Sequence, residues 1–235
     1  MTHSIQDLLK KNSDNFHPVV HFNPDLEKLL PLDFTDSNRD LTMEILSDTQ
    51  QFTDYINDKL ALAGAKFGIG GYAEHRTVYS RSPVFDAKYP GQEPRRLHLG
   101  TDIWGRHHTP VMAPLGGIVH SFAFNNNFGD YGATIILTHQ LEGFVFHTLY
   151  GHLSLNDLKN IQEGQRIEKG EVFCEFGIPV DNGHWPPHLH FQVIIDLQGK
   201  EGDYPGVCAY AEKDAYLLNC PDPDLLLKMN RYIHP

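Results

Sequence analysis

The stretch PPHLHFQV, residues 186–193, places two histidines two positions apart within a run of β-forming residues. Successive side chains of a β-strand point to opposite faces, so His188 and His190 lie side by side on one face. The apolar residues at 189, 191 and 193 occupy the opposite face and can pack in a core. One strand does not show what the two imidazoles face, so their partners have to be sought elsewhere in the chain.

Composition places the chain among ordinary globular proteins. It has 235 residues, 40% of them hydrophobic and 21% charged, which allows one sizeable domain with extensions or two small domains. The net charge of −11 argues against partners such as nucleic acid or an anionic membrane surface. The fifteen histidines are many for this length and are the one compositional hint of metal chemistry.

Cysteine usage and the first residues bear on the cellular compartment. Three cysteines without a CxxC pair argue against a disulfide framework and against a thiolate zinc site. The start, MTHSIQDLLKK, lacks the basic and apolar regions of a secretory signal, and no apolar run approaches the length of a membrane span. We therefore expect a cytoplasmic protein if the chain is complete. A signal peptide removed beforehand would instead imply a periplasmic or extracellular location.

The first part of the chain predicts helix and irregular structure. Residues 1–40 contain three prolines and predict irregular chain with short helical turns. Apolar residues at helical spacing predict one amphipathic helix from about Thr42 to Ala63, which ends near Gly64. The glycine-rich FGIGGY, residues 67–72, lacks the features of a phosphate-binding loop and predicts a turn.

After about residue 95 the pattern becomes that of β-structure. Short apolar runs separated by Gly, Pro and Asn predict an antiparallel sandwich or barrel. Ser154 followed by Asp157 has the spacing of a capping box and predicts a short helix. The prediction is thus a mainly β protein: an N-terminal extension over 1–66 with one helix, a β domain over 67–198, and a C-terminal tail over 199–235 packed as loops with one helical turn.

Two further segments can meet the histidine pair. HLGTD carries His98 and Asp102 at a strand end or tight turn, and LYGHLS places His152 at the end of a strand. Imidazole nitrogens and a carboxylate oxygen are ligands that zinc accepts. Because a catalytic zinc site uses three protein ligands and one open position for water, five such residues leave two to act on that water. This number fits a hydrolase.

With these residues the chain resembles the lysostaphin-type, LytM-like zinc metalloendopeptidases, which cut peptide cross-links in bacterial cell walls. HLGTD is similar to the family's HxGxD, TLYGHLS to YxHLS, EGQRIEKGEVF to GQxVxxG and PPHLHFQV to PHLHFE. The resemblance covers about residues 95–196. The family's antiparallel β peptidase fold is the expectation that follows.

The resemblance also implies the roles of the five residues. His98, Asp102 and His190 match the family's zinc ligands, which implies one zinc ion per chain. His152 and His188 match two catalytic histidines that take up, donate or stabilise charge around a zinc-activated water. Which of the two does which stays open. The implied partner is a peptide, of peptidoglycan cross-link type or another small peptide, and the oligomeric state stays open.

Two departures from the family pattern concern substrate choice. Gln192 stands where the family usually has glutamate, on the same face as the two histidines. The loop FGIPVDNGHWP, 176–186, replaces a glycine- and threonine-rich loop that helps to line the substrate groove. NGHWPPHLHFQ and GDYPGVC are similar to a LytM-like variety inside large cytosolic proteins, beside kinase-like and aminotransferase-like domains.

Other readings of the same residues remain. Single histidines are seldom ligands, and we expect five of them to be structural or surface residues: His107, His108, His120, His139 and His147. His184 can line a groove or pack in its loop, and Trp104 and Trp185 are expected to pack. The alternative function is a non-catalytic LytM-like binding or regulatory module. A lipoyl- or biotinyl-type carrier is disfavoured, because Lys169 lies within a predicted strand and no lysine occupies a hairpin tip.

Overall fold

The computed structural model describes residues 4–233, so residues 1–3 and 234–235 of the predicted end segments lie outside the description. The α-helices are α1 (Ile5–Lys11), α2 (Met43–Ser47), α3 (Thr49–Ala63), α4 (Lys213–Asn219) and α5 (Asp224–Leu227). The first strands are β1 (Lys28–Leu32), β2 (Ala65–Gly70), β3 (Arg95–His98), β4 (Thr101–Trp104), β5 (Pro110–Met112) and β6 (Gly117–Asn125). The remaining strands are β7 (Gly132–Leu141), β8 (Phe144–Leu153), β9 (Arg166–Ile167), β10 (Val172–Glu175), β11 (His188–Ile194) and β12 (Val207–Ala209).

The prediction of a mainly β, largely antiparallel protein is confirmed. Eight strands form one sheet in the order β1-β2-β4-β11-β8-β7-β6-β9, and β10 with β5 and β12 with β3 form two small antiparallel sheets. Within the large sheet only the β1–β2 pair is parallel; the other neighbours are antiparallel.

Strand β11 lies near the middle of this sheet and is buried along its whole length. Its apolar set, Leu189, Phe191 and Val193, joins the main hydrophobic core, as the alternation predicts. The opposite face is covered by a second core around Phe52 and Trp104 and by a third that includes tail residues. The histidines of β11 therefore lie between packed layers.

The prediction of one helix over 42–63 is wrong, because the chain breaks at Asp48. This residue is extended (φ −107°, ψ 116°), ends α2, and accepts a hydrogen bond from the Gln51 amide at 2.9 Å as the N-cap of α3. An acidic side chain at this position satisfies a free amide of the first helical turn. Helix α3 ends at Gly64, which has the left-handed conformation expected of a C-terminal stop (φ 60°).

The prediction of a turn over 67–72 is also wrong for most of the segment. Residues 67–70 belong to β2, which pairs with β1 on one side and β4 on the other. Its glycines serve close packing: a Cβ on Gly68 would lie 2.5 Å from the Leu32 side chain, and one on Gly70 would lie 2.7 Å from Arg76. Irregular structure was predicted for residues 1–40, yet β1 there forms the edge of the sheet.

Two smaller predictions need correction. The capped helix after Ser154 is only a 3-10 turn, Asp157–Lys159, because the chain leaves the turn to join β9. The tail contains β12, α4 and α5 rather than loops with one helical turn. The predicted domain limits stay predictions, although β1 and β2 lie in the same sheet as the predicted β domain. Within residues 4–233, no helix is long and apolar enough to cross a membrane.

Candidate metal centre

Three of the predicted residues bring one donor atom each to a common point. His98 Nε2 lies 3.0 Å from His190 Nδ1, and Asp102 Oδ1 lies 3.2 Å and 3.1 Å from these two nitrogens. Strand pairing produces this approach, because Asp102 of β4 is the register partner of His190 of β11. His98 ends β3, and the tight turn predicted for HLGTD joins it to β4.

Gly100 in this turn is required by the closeness of His190. A Cβ at position 100 would lie 2.5 Å from Cε1 of the His190 ring and 2.8 Å from the Phe191 carbonyl oxygen. Any larger residue would displace the imidazole or the turn. The glycine of HLGTD therefore positions a donor group that lies about ninety residues later in the chain.

Hydrogen bonds on the outer sides of the two imidazoles determine their tautomers. His98 Nδ1 donates to the Gly71 carbonyl oxygen at 2.9 Å, and His190 Nε2 donates to Gln192 Oε1 at 2.9 Å. The Gln192 amide is oriented by its own donation to the Pro205 carbonyl oxygen at 3.1 Å. Each neutral ring therefore turns an unprotonated nitrogen toward Asp102.

The donor set fits a divalent metal ion. Around a tetrahedral ion with bonds of about 2.0–2.1 Å, neighbouring ligand atoms lie roughly 3.3 Å apart. The observed separations of 3.0–3.2 Å are close to that value. Within residues 4–233 this is the one group of three or more His, Cys, Asp or Glu side chains with such convergent donor atoms.

His152 and His188 lie beside this centre, as predicted. Their ring centroids are 4.1 Å apart, and the His152 ring is 6.3 Å from that of His190. The Nδ1 atoms donate to backbone carbonyl oxygens: His152 to Asn182 at 2.8 Å and His188 to Pro186 at 2.7 Å. Both neutral rings therefore have Nε2 as an unprotonated acceptor. Their assignment as catalytic residues stays a prediction.

His152 has a strained backbone. Its φ is 64°, in the left-handed backbone region that residues other than glycine seldom adopt. The backbone is held by a hydrogen bond from its amide to the Tyr131 carbonyl oxygen at 2.9 Å, and its own carbonyl oxygen accepts from the Gly177 amide at 2.9 Å. These bonds turn the end of β8 so that the imidazole points toward His188.

Burial shapes the electrostatics of the centre. Burial lowers the pKa of His98 and of His188 to about 4, and for His98 the Arg76 charge adds to this effect. Burial, with the neighbouring His188, also lowers the pKa of His152 well below its usual value. Burial alone would raise the pKa of Asp102, but His98 and Arg76 hold it well below the usual range. These shifts keep the His98, His152 and His188 imidazoles neutral and Asp102 ionised near neutral pH.

Arg76, which the sequence did not mark as a site residue, contacts the second oxygen of Asp102. Arg76 Nη1 donates to Asp102 Oδ2, its Nε donates to Glu74 Oε2 at 2.6 Å, and the side chain is 2% exposed. This ion pair leaves Oδ1 as the atom that faces the histidines. Nothing in GYAEHRTVY marks the arginine as buried, and it precedes the segment that resembles the family.

Aromatic residues near the centre contact its histidines through ring stacking and through a hydroxyl group. Trp104 stacks on His188 with ring centroids 3.8 Å apart and an angle of 13°. The Tyr131 hydroxyl, not identified from sequence, is 3.5 Å from His190 Nε2 and donates to the Tyr204 carbonyl oxygen at 3.1 Å. Packing roles predicted for Trp104 and Trp185 are consistent with their burial.

The six other histidines considered in the sequence analysis lie outside this group of convergent donor atoms. His184 stacks on Phe128, and His108 binds Glu175 at the surface. His139 is buried on the sheet, where it contacts the Gly116 carbonyl oxygen and Thr148. His120 and His147 contact each other edge to face with ring centroids 5.5 Å apart.

Sequence comparison agrees with this geometry. The sequence profile of peptidase family M23 matches residues 96–203, the segment that holds all five candidate residues. Residues 96–203 belong to peptidase family M23. The resemblance to lysostaphin-type peptidases predicted from the four motifs is thereby confirmed.

Two curated relatives are similar to a longer part of this chain than residues 96–203. The L-Ala–D-Glu endopeptidase of Bacillus subtilis (strain 168) is 32% identical over 168 residues, which are 67% of this chain and 46% of that protein. An uncharacterized metalloprotease of Haemophilus influenzae is 31% identical over 170 residues, 68% of this chain and 33% of that protein. The chain thus spans less than half the length of either relative.

A solved structure similar to the M23 domain is the catalytic domain of the antimicrobial peptidase lysostaphin from Staphylococcus simulans. It is 17% identical, covers 70% of this chain and 96% of its own, and has a TM-score of 0.38. At that score the structural likeness adds nothing to the sequence match.

Proposed function

We propose that this protein is a zinc-dependent peptidase in which His98, Asp102 and His190 hold one zinc ion. The observation that carries the proposal is the meeting of three acceptor atoms with no hydrogen between them. His98 Nε2 and His190 Nδ1 are unprotonated, because the other nitrogen of each ring carries the hydrogen and donates it away from the centre. The third atom is a carboxylate oxygen, Asp102 Oδ1. Three lone pairs at 3.0–3.2 Å repel one another unless a cation lies among them.

Nitrogen and oxygen ligands without thiolate favour zinc over softer metals, and the family places zinc in this position. Bound zinc would lower the pKa of its water to about 7 and polarise the peptide carbonyl. His152 and His188 would supply the proton transfers, because each has an unprotonated Nε2 and their rings lie 4.1 Å apart beside the centre. One such nitrogen takes the proton of the attacking water, and a proton is returned to the leaving amine.

For the substrate we propose a peptide of the peptidoglycan type. The support is family membership and the name of the Bacillus relative, an L-Ala–D-Glu endopeptidase. The alternative, a non-catalytic binding or regulatory module, is favoured by one observation: all five side chains are at most 6% exposed.

The first test is the zinc content per chain, measured by elemental analysis on protein incubated with zinc and then desalted. We expect about one zinc per chain in the parent and a loss in Asp102→Ala. His120→Ala, which removes a histidine outside the centre, should retain the metal. Cleavage of synthetic peptidoglycan peptides by the zinc-loaded parent would then be measured by mass spectrometry.

A folded parent that takes up no zinc would contradict the peptidase proposal. Full zinc occupancy without cleavage of any peptide would contradict the catalytic part and favour the binding module.

A further inference from the structure

The metal centre is covered by protein in this structure. The side chains of His98, Asp102, His188 and His190 are at most 3% exposed, and that of His152 is 6% exposed. The space beside the centre is a partly open cavity of about 130 Å³. Pockets for drug-sized ligands start at about 300 Å³. A peptide with chain on both sides of the bond to be cut needs more room, so part of the cover has to move first.

One wall of the cavity is a short segment, residues 78–85, which we call the strap. Three strap residues, Tyr79, Val84 and Phe85, line the cavity. The Tyr79 ring lies beside the metal centre, with its centroid 6.3 Å from that of the His98 ring. The strap is therefore part of the cover over the centre.

Backbone pairing does not attach the strap to the rest of the protein. The strap consists of two 3-10 turns, Val78–Arg81 and Pro83–Phe85, and its backbone hydrogen bonds run only among residues 77–86. Within residues 4–233, no backbone–backbone hydrogen bond joins residues 78–85 to another element. Because its internal bonds move with it, the strap can leave the centre as a unit.

Side chains supply the polar contacts that hold the strap in place. The Ser82 hydroxyl donates to the Phe128 carbonyl oxygen, and Arg95 Nη2 donates to the Val84 carbonyl oxygen at 2.6 Å. Water can replace each of these partners when the strap moves. The contacts therefore favour the observed position without fixing it as a strand pairing would.

The two ends of the strap differ in how firmly they are held. At the first end, the Thr77 amide donates to the Phe34 carbonyl oxygen at 3.0 Å, and the preceding Arg76 pairs with Asp102. At the second end, residues 86–94 are all exposed and form neither helix nor strand. Nine such residues provide the slack for the strap to lift about its first end.

A buried cation makes the observed position of the strap costly. Arg81 is 7% exposed, and its Nε and Nη1 atoms have no hydrogen-bond partner within residues 4–233. Its Nη2 atom donates to the Thr49 hydroxyl at 3.2 Å. Burial lowers the pKa of Arg81 to about 10, so the group stays charged at neutral pH. Burying a charge without a counter-charge costs free energy, which water would restore if the strap lifted.

Aromatic rings offset part of this cost. The Arg81 guanidinium carbon lies 5.4 Å from the ring centroid of Phe52, 4.9 Å from that of Phe128 and 4.6 Å from that of Trp185. Contacts of a cation with ring faces are attractive. The observed position thus gains ring contacts and loses hydration of the charge, and these opposing contributions are what a segment with two accessible positions requires.

We propose that the strap is a lid that lifts from the metal centre to admit a peptide, and that the structure shows its closed position. The inference rests on the proposed peptidase function and adds its regulation: cleavage requires both the metal and the opening of the strap. Arg81 lies among aromatic rings in the closed position and in water in the open one.

The first test detects opening without any activity. Ser82→Cys places a thiol at a strap position that is 0% exposed, and Cys174 of the main core, 3% exposed, is a native reference thiol. Iodoacetamide is added under native conditions, and both sites are followed by mass spectrometry. The introduced thiol should react at least about tenfold faster than Cys174, because local opening precedes global unfolding. Equal rates would overturn the inference.

The second test changes the balance between the two positions. Arg81→Met retains the apolar stem and removes the buried charge, which should favour the closed strap. Thiol labelling of the Ser82→Cys/Arg81→Met protein and peptide cleavage by zinc-loaded Arg81→Met, measured as kcat/KM, should each fall at least about fivefold. Arg166→Met, at an exposed position, should leave both unchanged. Faster labelling with Arg81→Met would contradict the role of Arg81 in opening.

The third test closes the strap reversibly. Pro83 and Asn127 are exposed neighbours of the hydrogen-bonded Ser82 and Phe128. In Pro83→Cys/Asn127→Cys, a bis-maleimide with a disulfide in its spacer should join the two positions and slow cleavage at least about tenfold. Reduction of the spacer should restore the rate. N-ethylmaleimide, which modifies the same thiols without joining them, is the control and should leave the rate unchanged.

Full cleavage by the cross-linked protein would overturn this inference and leave the proposed function intact. Absence of cleavage by the zinc-loaded protein without the cross-link would contradict the proposed function itself. In that case the labelling rates would still decide whether the strap opens.

Discussion

At the scale of single residues, Arg76 connects the metal centre to the chain that precedes the M23 domain. It lies between the carboxylates of Asp102 and Glu74 and is almost fully buried. Arg76→Met leaves two carboxylates close together without a counter-charge. Because breaking a buried ion pair on one side costs roughly 3–5 kcal/mol, we expect a loss of that order in urea unfolding measured with a chelator present.

The matched control for Arg76 is Arg166→Met. Arg166 also pairs with a glutamate at 2.6 Å, but both side chains are well exposed, at 76% and 65%. Removal of this surface pair should change the free energy of unfolding by less than about 1 kcal/mol. Equal effects of the two substitutions would show that the Arg76 pair is not a buried support of Asp102.

The left-handed backbone of His152 leads to a second prediction. Alanine at φ 64° retains the steric cost of a Cβ, roughly 1–2 kcal/mol, whereas glycine does not. His152→Gly should therefore be more stable than His152→Ala, opposite to the usual order of these two residues within a strand. Paired thermal melts measure the difference, and a more stable alanine variant would contradict the strain described for this turn.

Local rules and the family motifs together predicted that the five candidate residues come together, whereas their roles as ligands and catalytic groups came from the family resemblance and stay predictions. Alternation along β11 places His188 and His190 on one face, and the turn in HLGTD brings His98 and Asp102 together. Arg76 could not be predicted, because its burial depends on the packing of β2 glycines. The Tyr131 hydroxyl reaches His190 only through the arrangement of separate strands and the tail.

At the scale of elements, Asp48 determines where α2 ends and α3 begins. Asp48→Ala removes the acceptor of the Gln51 amide and should cost about 1 kcal/mol of unfolding free energy. Asp48→Asn retains an acceptor at the same position and should stay within about 0.5 kcal/mol of the parent. Chemical denaturation of the three proteins provides the comparison. If asparagine costs as much as alanine, the cap does not stabilise α3.

The elements that sequence analysis missed have two physical causes, a local helix cap and tertiary packing. The helical periodicity of 42–63 continues through Asp48, so periodicity alone does not show the break, although an acidic residue before Gln51 is a possible cap. Pro31 and the glycines of 67–72 argued against strands, yet β1 is an edge strand and β2 uses glycine for close packing. Tertiary packing overrode the local preference in both places.

At the scale of the whole molecule, buried neutral histidines make stability dependent on pH. His139 is 1% exposed, and burial lowers its pKa to about 4, with a small contribution from His147. Between pH 6.5 and 4 the unfolded chain binds a proton that the folded protein does not, so stability is lost as the pH falls through this range. His139 should contribute a loss on the order of 3 kcal/mol, since one pKa unit corresponds to about 1.4 kcal/mol.

The contribution of His139 is isolated by difference. The free energy of unfolding is measured from pH 7 to pH 4 for the parent and for His139→Gln, which has no titrating ring. The free energy of unfolding of the parent minus that of His139→Gln should fall by about 3 kcal/mol between pH 7 and pH 4. His107→Gln, at an exposed position, should follow the parent at every pH. A constant difference across the range would show that His139 titrates normally in the folded protein.

The two ends of the large sheet have a consequence for how molecules meet one another. An unpaired strand edge is a template on which a second chain can add its own strand. Here one end is β1, where Pro31 has no N–H to offer, and the other end is β9, which is two residues long. A cut before residue 96 would remove β1 and β2 and leave β4, with Asp102, as a bare edge. Such a fragment would expose the strand that carries Asp102 to neighbouring chains and would be prone to aggregate through it.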